Sequence, residues 1–434
     1  MKKINVFWFR RDLRTHDNRG LYEALKDKNN VIPIFIYDTE ITNKLKKNDH
    51  RLTFIENALG GINKAMKRNR CTLGTFRGTP KAIFNKLIKD YPIEKVYTNH
   101  DYEPYALARD LEVKTLLESA GVEFITFKDQ VIFEQNEVVK DDGKAYVVYT
   151  PYSRKWIAKF EEEGIENYPS ESLLDNLYQE KKLPEITTTE MGFSPASLVP
   201  KAYQFDDQLI DQYEATRNFP ATDSTSRLGV HLRFGTQSIR DLVTKSASRK
   251  NPTFLKELIW REFFMQILWH FPHTKERSFK KQYDRIQWRN DETEFKKWCE
   301  GETGYPLVDA GMRELNKTGF MHNRVRMLVA SFLCKHLLID WRWGEAYFAE
   351  KLFDYEMASN VGNWQWAAGS GVDAAPYFRI FNPHAQIQKF DQQHQYINRW
   401  VEDLNEMSYP APIVEHKYAR ERCLKEYKTA LNTA

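Results

Sequence analysis

The first 130 residues alternate two kinds of hydrophobic pattern. Short apolar or β-branched runs are separated by longer amphipathic stretches with helical spacing. Strands that alternate with helices predict a Rossmann-like α/β domain, in which helices cover both faces of a parallel sheet. No GxGxxG or GxxxxGK motif follows a predicted strand, so the usual dinucleotide fingerprint and the P-loop are both absent. The predicted strands are 6–9, 31–37, 72–76, 95–99 and 123–127, and clear helical stretches are 51–67 and 103–120.

Residues 131–200 follow neither pattern. Five prolines interrupt the segment between positions 151 and 200, and Asp141-Asp142-Gly143 is typical of a turn. We therefore expect 131–200 to be an interdomain connector with little regular structure of its own.

From residue 201 onward the pattern is mainly helical, with no internal repeat. The chain is therefore predicted to hold an α/β domain at 1–130, a linker at 131–200 and an all-α domain at 201–434. Helical spacing or composition is found at 253–271, 309–317, 323–338, 343–353 and 388–402.

Composition narrows the class of protein. Aromatic residues make up 14% of the chain, with 11 tryptophans, which indicates stacking surfaces or an aromatic-rich helical core. A net charge of +4 permits a polyanionic partner without requiring one. The four cysteines form no CxxC pair, and the start of the chain has neither a signal-peptide pattern nor a membrane-length apolar run. We expect reduced thiols and a cytoplasmic protein.

Two pairs of residues on predicted helices combine polar and apolar groups on one face. Glu257 and Trp260 are three residues apart, and a carboxylate beside an indole needs a polar partner. The ordinary interpretation is a solvated glutamate beside a boundary tryptophan. Asn323 and Met327 are four apart with two arginines between them, which suits phosphate or carboxylate binding. The ordinary interpretation there is a basic helix start at the surface.

Two further segments suggest stacking and anion binding. Asn363-Trp364-Gln365-Trp366 lies in a glycine-flanked segment, which predicts a loop or turn that displays both rings, either for base stacking or as a hydrophobic anchor. Thr225-Ser226-Arg227-Leu228-Gly229 offers hydroxyl groups, an arginine and backbone N–H groups at a helix start, which suit a phosphate. Ordinary N-capping explains the hydroxyl groups equally well.

Metal and hydrolytic chemistry are not indicated by the sequence. His270 and His273 are separated by Pro272 and have no further ligand cluster nearby, which argues against a zinc site. No Ser-His-Asp or Cys-His arrangement is evident, and we predict no metal site.

The order and spacing of these segments resemble the photolyase/cryptochrome family, most closely the class I photolyases specific for cyclobutane pyrimidine dimers. The resemblance runs almost from end to end, and it implies an α/β antenna domain, a long linker and an all-α FAD-binding domain. The segments that carry it are 7–14, 257–263, 304–310, 321–327 and 362–383.

The resemblance implies a U-shaped FAD in the helical domain. Arg326 and Asp354 would pair beside the flavin ring, and Asn360 would face flavin N5. Glu356 stands where the family more often has aspartate. The implied cofactor-binding residues are Tyr213, Thr225, Ser226, Arg227, Leu228, Gly229, Arg261, Arg326, Asp354, Glu356 and Asn360.

The resemblance also implies light-driven repair of UV-damaged DNA by a monomer, with an electron passing from excited reduced FAD to a flipped-out dimer. Relatives specific for (6-4) lesions typically have two histidines in the segment 321–327, whereas this chain has His322-Asn323, which favours the cyclobutane dimer. Glu257 would stabilise the negative charge on the lesion. The tryptophan relay that reduces the flavin would be Trp364, Trp341 and Trp288. The implied DNA- and lesion-binding residues are Arg217, Glu257, Trp260, Asn323, Arg324, Met327 and Trp366.

Two other functions share parts of this pattern. A cryptochrome would have the same fold and FAD but would signal through a partner; Asn360 and the pair Glu257 and Trp260 argue against it. A non-catalytic nucleic-acid-binding protein with tryptophan platforms would bind no flavin. Members that bind methenyltetrahydrofolate in one common mode carry an acidic residue where this chain has Ala106. That pterin, a deazaflavin, a second flavin and an empty antenna site therefore all stay open.

Overall fold

A computed structural model describes residues 2–179 and 183–432, and they form two compact units. The first unit combines Met1–Glu134, Lys159–Val199 and Gly229–Lys245. The second combines Gln135–Ala158, Pro200–Leu228 and Ser246–Ala434. Each unit is thus assembled from separate stretches of chain, whereas the predicted domains and linker are consecutive; those boundaries stay a prediction.

A five-stranded sheet forms the centre of the first unit. All its neighbouring strands pair in parallel, in the order β3-β2-β1-β4-β5. Every residue of β1 and β2 is buried, because helices cover both faces of the sheet. The prediction of a parallel α/β sheet is confirmed. The strands are β1 (Ile4–Phe9), β2 (Val31–Asp38), β3 (Gly74–Gly78), β4 (Ile93–Asn99) and β5 (Glu123–Phe127).

The second unit is helical, as the sequence predicts. Among the described residues, no helix is both long enough and apolar enough to cross a membrane. In chain order, the helices of the two units are α1 (Arg19–Lys26), α2 (Thr39–Thr42), α3 (His50–Lys67), α4 (Pro80–Asp90), α5 (Pro104–Ser119), α6 (Tyr149–Glu163), α7 (Asp207–Thr216), α8 (Gly229–Phe234), α9 (Ile239–Ala247), α10 (Thr253–His270), α11 (Glu292–Glu300), α12 (Pro306–Thr318), α13 (Asn323–Ser331), α14 (Trp341–Lys351), α15 (Met357–Ala368), α16 (Pro383–Phe390), α17 (Gln395–Trp400) and α18 (His416–Asn432).

The connector is more regular than its prolines predict. It contains the 15 residues of α6 and a 3-10 helix at Ser170–Asn176. Pro151 lies in the first turn of α6, where the backbone N–H that proline lacks has no partner within the helix. The expectation of a connector with little regular structure is therefore wrong for this part.

Two predicted helices are divided in the structure. The stretch 323–338 is regular only to the end of α13, and a π-helical turn at Phe332–His336 follows. The stretch 388–402 is split into α16 and α17 by Asp391, whose carboxylate accepts hydrogen bonds from the backbone N–H groups of Tyr396 and Ile397. In the second case, a side chain satisfies the N–H groups that a new helix start leaves free.

The helices that carry the candidate site pack closely in the second unit. A Cβ atom at Gly362 of α15 would overlap the ring of Phe264 on α10. A Cβ atom at Gly344 of α14 would overlap the ring of Trp364 on α15. The missing side chains at these two glycines therefore let α10 and α14 approach α15 on two sides.

Candidate active site

A cavity between α13, α14 and α15 contains about 600 Å³ of empty space, part of it open to solvent. Eight residues predicted from the sequence line it. Three of them were assigned to the lesion and five to the cofactor or the electron relay, so both predicted sites meet in one cavity. These eight residues are Asn323, Met327, Trp366, Arg326, Asp354, Glu356, Asn360 and Trp364.

Arg326 and Asp354 form the predicted ion pair at the cavity wall. Nη2 of Arg326 lies 2.9 and 3.2 Å from the two carboxylate oxygens of Asp354. Nε of Arg326 also donates to the carbonyl oxygen of Met321 at 2.7 Å. These contacts hold the guanidinium group in one orientation beside the cavity.

Asn360 is held from behind by Glu345. Its amide nitrogen donates to the backbone oxygen of Glu345 at 3.1 Å and to the side-chain Oε1 at 2.9 Å. Burial raises the pKa of Glu345 even though the bond from Asn360 favours its ionised form. Because the amide nitrogen is committed to Glu345, the carbonyl oxygen is the end of Asn360 that a ligand in the cavity can use.

Glu356 has a structural contact that the sequence left open. Its carboxylate accepts hydrogen bonds from the backbone N–H groups of Ala358 at 3.3 Å and Ser359 at 2.9 Å. It is therefore the N-cap of α15, the helix that carries Asn360.

Trp364 and Trp366 lie inside α15, so the prediction of a loop that displays both rings is wrong. Side chains that are two residues apart on an α-helix leave the helix axis in nearly opposite directions. Trp364 is buried, with Phe348 and Trp298 edge-on at 5.0 and 6.1 Å between ring centroids. Trp366 is half-buried. The flanking glycine that suggested a loop, Gly362, instead makes room for α10.

The remaining relay candidates lie in aromatic surroundings of different depth. Trp341, in the first turn of α14, is buried, and within the described part of the chain its indole N–H has no hydrogen-bond acceptor. Trp288 is half-buried, with the ring of Tyr427 perpendicular to it at 6.1 Å. The sequence did not predict a second possible route through Trp298, which is buried and lies edge-on to Trp364.

Glu257 and Trp260 share a face of α10, as predicted, but neither is among the residues that line the cavity. The carboxylate of Glu257 forms an ion pair with Nη1 of Arg217 at 2.5 Å. Trp260 is half-buried and stacks on Tyr149, with 3.6 Å between centroids and 6° between ring planes. Glu257 thus has the polar partner that a carboxylate beside an indole requires.

Arg324 and Arg217 place two cations close together. Nη2 of Arg324 donates to Oδ1 of Asn218 at 2.5 Å, and its guanidinium carbon lies 4.5 Å from the ring centroid of Phe390. Burial, together with repulsion from Arg217, lowers the pKa of Arg324. A phosphate group would relieve that repulsion.

The predicted phosphate loop is held in an unusual conformation around Arg227. This residue has φ of +59°, in the left-handed region. Its guanidinium carbon lies 3.6 Å from the ring centroid of Phe320, and among the described residues its buried Nε has no partner. Nη2 of Arg227 pairs with Oδ1 of Asp223 at 2.8 Å, so of its buried nitrogens only Nε lacks a partner among the described residues. A cationic side chain with one unused buried donor, next in sequence to the hydroxyl groups of Thr225 and Ser226, fits the phosphates of FAD.

Of the other predicted cofactor residues, two belong to this loop and two lie on other helices. Tyr213 on α7 packs edge-on against Phe254, with 4.9 Å between centroids. Leu228 is buried, and Gly229 is the first residue of α8 and belongs to the first unit. Arg261 is half-buried on α10 and does not line the cavity.

Three residues with a place in this site were not predicted: Tyr149, Glu345 and Trp298. Tyr149 lies in the proline-rich connector, and Glu345 and Trp298 lie far in sequence from the side chains they touch. Only the aromatic excess of the chain hinted at such contacts, and it did not single out positions.

Family models match most of this architecture. Residues 5–171 match the model described as DNA photolyase, and residues 254–408 match the FAD binding domain of DNA photolyase. The deoxyribodipyrimidine photo-lyase of Agrobacterium fabrum is 35% identical over an alignment that covers 99% of this chain and 98% of the relative.

Two solved structures agree along the whole chain. A bacterial class III photolyase from Agrobacterium tumefaciens is 33% identical, with a TM-score of 0.89 and coverage of 100% of this chain and 98% of its own. An archaeal photolyase from Sulfolobus tokodaii with two FAD molecules is 32% identical, with a TM-score of 0.81 and coverage of 98% and 99%. The closer resemblance to class I stays a prediction. Taken with the cavity and its ion pair, these matches show that the chain belongs to the DNA photolyase family and is an FAD-dependent deoxyribodipyrimidine photo-lyase that acts in DNA repair.

Proposed function

We propose that the enzyme repairs cyclobutane pyrimidine dimers in UV-damaged DNA by light-driven electron transfer from FAD to a dimer turned into the cavity. One observation supports this most strongly. Asn323, Met327 and Trp366, assigned to the lesion, line the same cavity as Arg326 and Asn360, assigned to the flavin. A single cavity lets donor and acceptor meet without a bridging group.

The lesion side of the cavity offers binding groups, and the histidine next to Asn323 is not a proton donor at neutral pH. Asn323 can hydrogen-bond to the polar edge of a pyrimidine, while Met327 and Trp366 supply apolar and stacking contacts. His322 is buried, and its Nδ1 accepts a hydrogen bond from the backbone N–H of Arg324 at 3.1 Å. Burial lowers the pKa of His322 to about 4, so at neutral pH it is an uncharged helix cap and no general acid. This supports the cyclobutane dimer over the (6-4) lesion as substrate.

The flavin side of the cavity provides charge and orientation. Reduced FAD, when bound, supplies the electron after it absorbs light. Arg326, oriented by Asp354, stabilises negative charge near the flavin ring, and Arg227 meets the phosphates. Asn360, oriented by Glu345, presents a carbonyl oxygen to N5 without adding a formal charge.

The DNA strand is held by cations outside the cavity. Arg217 and Arg324 contact phosphates, which fixes the strand without reading its sequence. Extrusion of a base costs least at a damaged site; photolyases are among the standard examples of base flipping. Glu257, paired with Arg217, and Trp260 contact the dimer from α10.

The reaction is tested with reduced, FAD-loaded protein and oligonucleotides that carry either one cyclobutane thymine dimer or one (6-4) lesion. Blue light is expected to restore thymine absorbance for the cyclobutane substrate alone, with no change in the dark. Recovery on the (6-4) substrate, or none on either, would overturn the proposal. The second of these outcomes would favour signalling of the cryptochrome type.

Trp364, Trp341 and Trp288 are proposed to carry electrons to oxidised FAD. The test compares light-driven reduction of FAD in Trp341→Phe and Trp298→Phe, since both residues are buried tryptophans of this region. Trp341→Phe should strongly slow the reduction, while repair by chemically reduced enzyme continues. If only Trp298→Phe slows it, the route through Trp341 is wrong.

A second chromophore, if present, is proposed to bind in the α/β unit. The Sulfolobus tokodaii relative is described with two FAD molecules, which imply a novel light-harvesting cofactor. In this chain the side chain of Ala106 is buried on α5, and the hydroxyl of Tyr105 donates to Asp38 at 2.5 Å. Chromatography of the extracted chromophores identifies any second component.

The protein is also proposed to act as a monomer. Light scattering of the purified protein tests this proposal.

A further inference from the structure

We infer that Tyr149 is a positioning residue for the lesion: its ring backs Trp260 and holds that indole in the plane on which the dimer stacks. The inference rests on the proposed function, because it gives Trp260 a substrate. Tyr149 belongs to the connector, to which the sequence assigned no chemistry.

The geometry of the stack is not what packing alone favours. The rings of Tyr149 and Trp260 lie nearly parallel, 3.6 Å apart between centroids. Aromatic pairs prefer offset or edge-to-face arrangements over a face-to-face sandwich, because their quadrupoles repel in the sandwich. The pair therefore has the arrangement of stacked bases, and contacts outside the two rings must maintain it.

Three contacts fix Tyr149. Its hydroxyl donates to the carbonyl oxygen of Lys256 at 2.8 Å. Lys256 is four residues before Trp260, so this carbonyl belongs to the helical turn that carries the indole. The backbone N–H of Tyr149 donates to Oδ2 of Asp373 at 3.2 Å, and Phe263 packs edge-on at 5.9 Å. Burial and the carboxylate of Glu257 raise the pKa of Tyr149, which keeps the hydroxyl protonated as a donor.

Trp260 remains accessible in spite of its aromatic neighbours. Tyr149 is buried, whereas Trp260 is half-buried although Phe263 and Phe264 also lie against it. A pyrimidine on the exposed part of the indole would extend a stack in which Tyr149 and Trp260 are already ordered. Ordering before binding lowers the entropy lost when the lesion docks.

The test measures dark binding of full-length, FAD-loaded protein to a duplex with one cyclobutane dimer and to the same duplex undamaged, at fixed salt. Tyr149→Phe keeps the ring but loses the hydroxyl contact with Lys256, so it should lose less affinity for the dimer duplex than Tyr149→Leu does. Tyr149→Leu should lose roughly three- to tenfold in affinity for the dimer duplex, the range that aromatic pair energies imply. Its affinity for undamaged duplex and its FAD content should not change.

Tyr152→Leu is the matched control. Tyr152 is a buried tyrosine one turn further along α6 whose hydroxyl meets Glu262, and its ring packs on Phe263. This variant should keep the wild-type ratio of the two affinities. If Tyr149→Leu does not yield FAD-loaded protein, Tyr149→Met removes the aromatic face with a flexible side chain of similar length.

Each remaining outcome decides against a definite claim. An unchanged affinity ratio in Tyr149→Leu overturns the inference, as does an equal loss in Tyr149→Phe or in Tyr152→Leu. If the wild type itself does not prefer the dimer duplex, the proposed function fails, and the inference falls with it. In the first three cases the wild type still repairs dimers, which separates the two failures.

Discussion

At the scale of single residues, the chemistry of the site depends on which end of a side chain is left available. Asn360 gives both N–H groups of its amide to Glu345 and keeps its carbonyl oxygen for the cavity. Trp341 has a buried indole N–H with no acceptor in the described residues, so an oxidised ring there has no neighbour to take its proton. In both cases the presence or absence of a hydrogen-bond partner, and not the residue type alone, determines what the group can do.

Asn360→Asp should lower the two-electron midpoint potential of bound FAD. It would place negative charge beside Glu345 and the flavin, which disfavours the reduced, more negative cofactor. A loss of about 1.4 kcal/mol corresponds to a shift of about 30 mV for a two-electron couple. Asn316→Asp on α12, outside the cavity, is the control. Equal potentials in the two variants would contradict the position assigned to Asn360.

At the scale of elements, α13 presents Asn323, Arg326 and Met327 and depends on a histidine for its first turn. His322 caps this helix through Nδ1, which accepts hydrogen bonds only while unprotonated. Burial, with repulsion from Arg227, lowers the pKa of His322 to about 4, below the value near 6.5 of an unfolded histidine. Between pH 4 and 6.5, the unfolded chain therefore binds this proton more readily than the folded chain does.

The sign of that difference predicts acid sensitivity. Stability should fall by up to about 1.4 kcal/mol per pH unit as pH drops from 6.5 to 4, because the unfolded state takes up the proton. His322→Asn keeps a good cap without the titration and should retain FAD to lower pH than the wild type does. Acid titration of FAD release measures this, with the exposed His273→Asn as control. Identical release curves for His322→Asn and the wild type would disprove the cap argument.

Glycines at helix crossings and on open helix faces should respond in opposite directions to alanine. Gly362→Ala places a methyl group against Phe264 and should cost about 1–3 kcal/mol, the usual range for overpacking. Gly61 is exposed on α3 with no atom near its absent Cβ, so Gly61→Ala should stabilise by about 0.5–1 kcal/mol. Thermal unfolding measures both, and a stabilising Gly362→Ala would show that α10 and α15 do not pack as described.

Contacts between helices, such as those at these crossings, are the features that the sequence did not predict. The strands and α10 follow from periodicity, because one-sided or complete burial leaves a pattern along the chain. The loop predicted around Trp364 was wrong because a glycine that permits close helix packing was taken for a chain break. The contact between Tyr149 and Trp260 joins distant segments, and no spacing rule encodes such a pair. The cavity is likewise a property of packed helices and not of any one of them.

At the scale of the whole molecule, the predicted chemistry is concentrated in one unit. Every predicted site residue except Gly229 belongs to the helical second unit, which also contains the cavity. The first unit contributes the parallel sheet, and its role as an antenna stays a prediction. The central claim is therefore that residues of α13 and α15 bring lesion and flavin into contact within one cavity.

That claim is tested most directly by the fluorescence lifetime of reduced FAD in the protein with saturating DNA, in the absence of oxygen. A duplex with one cyclobutane dimer should shorten the lifetime, because electron transfer to the dimer competes with emission. The same duplex without damage should leave the lifetime as it is in the free protein. An unchanged lifetime with the dimer demonstrably bound would contradict the account, because the lesion would then lie out of contact with the flavin.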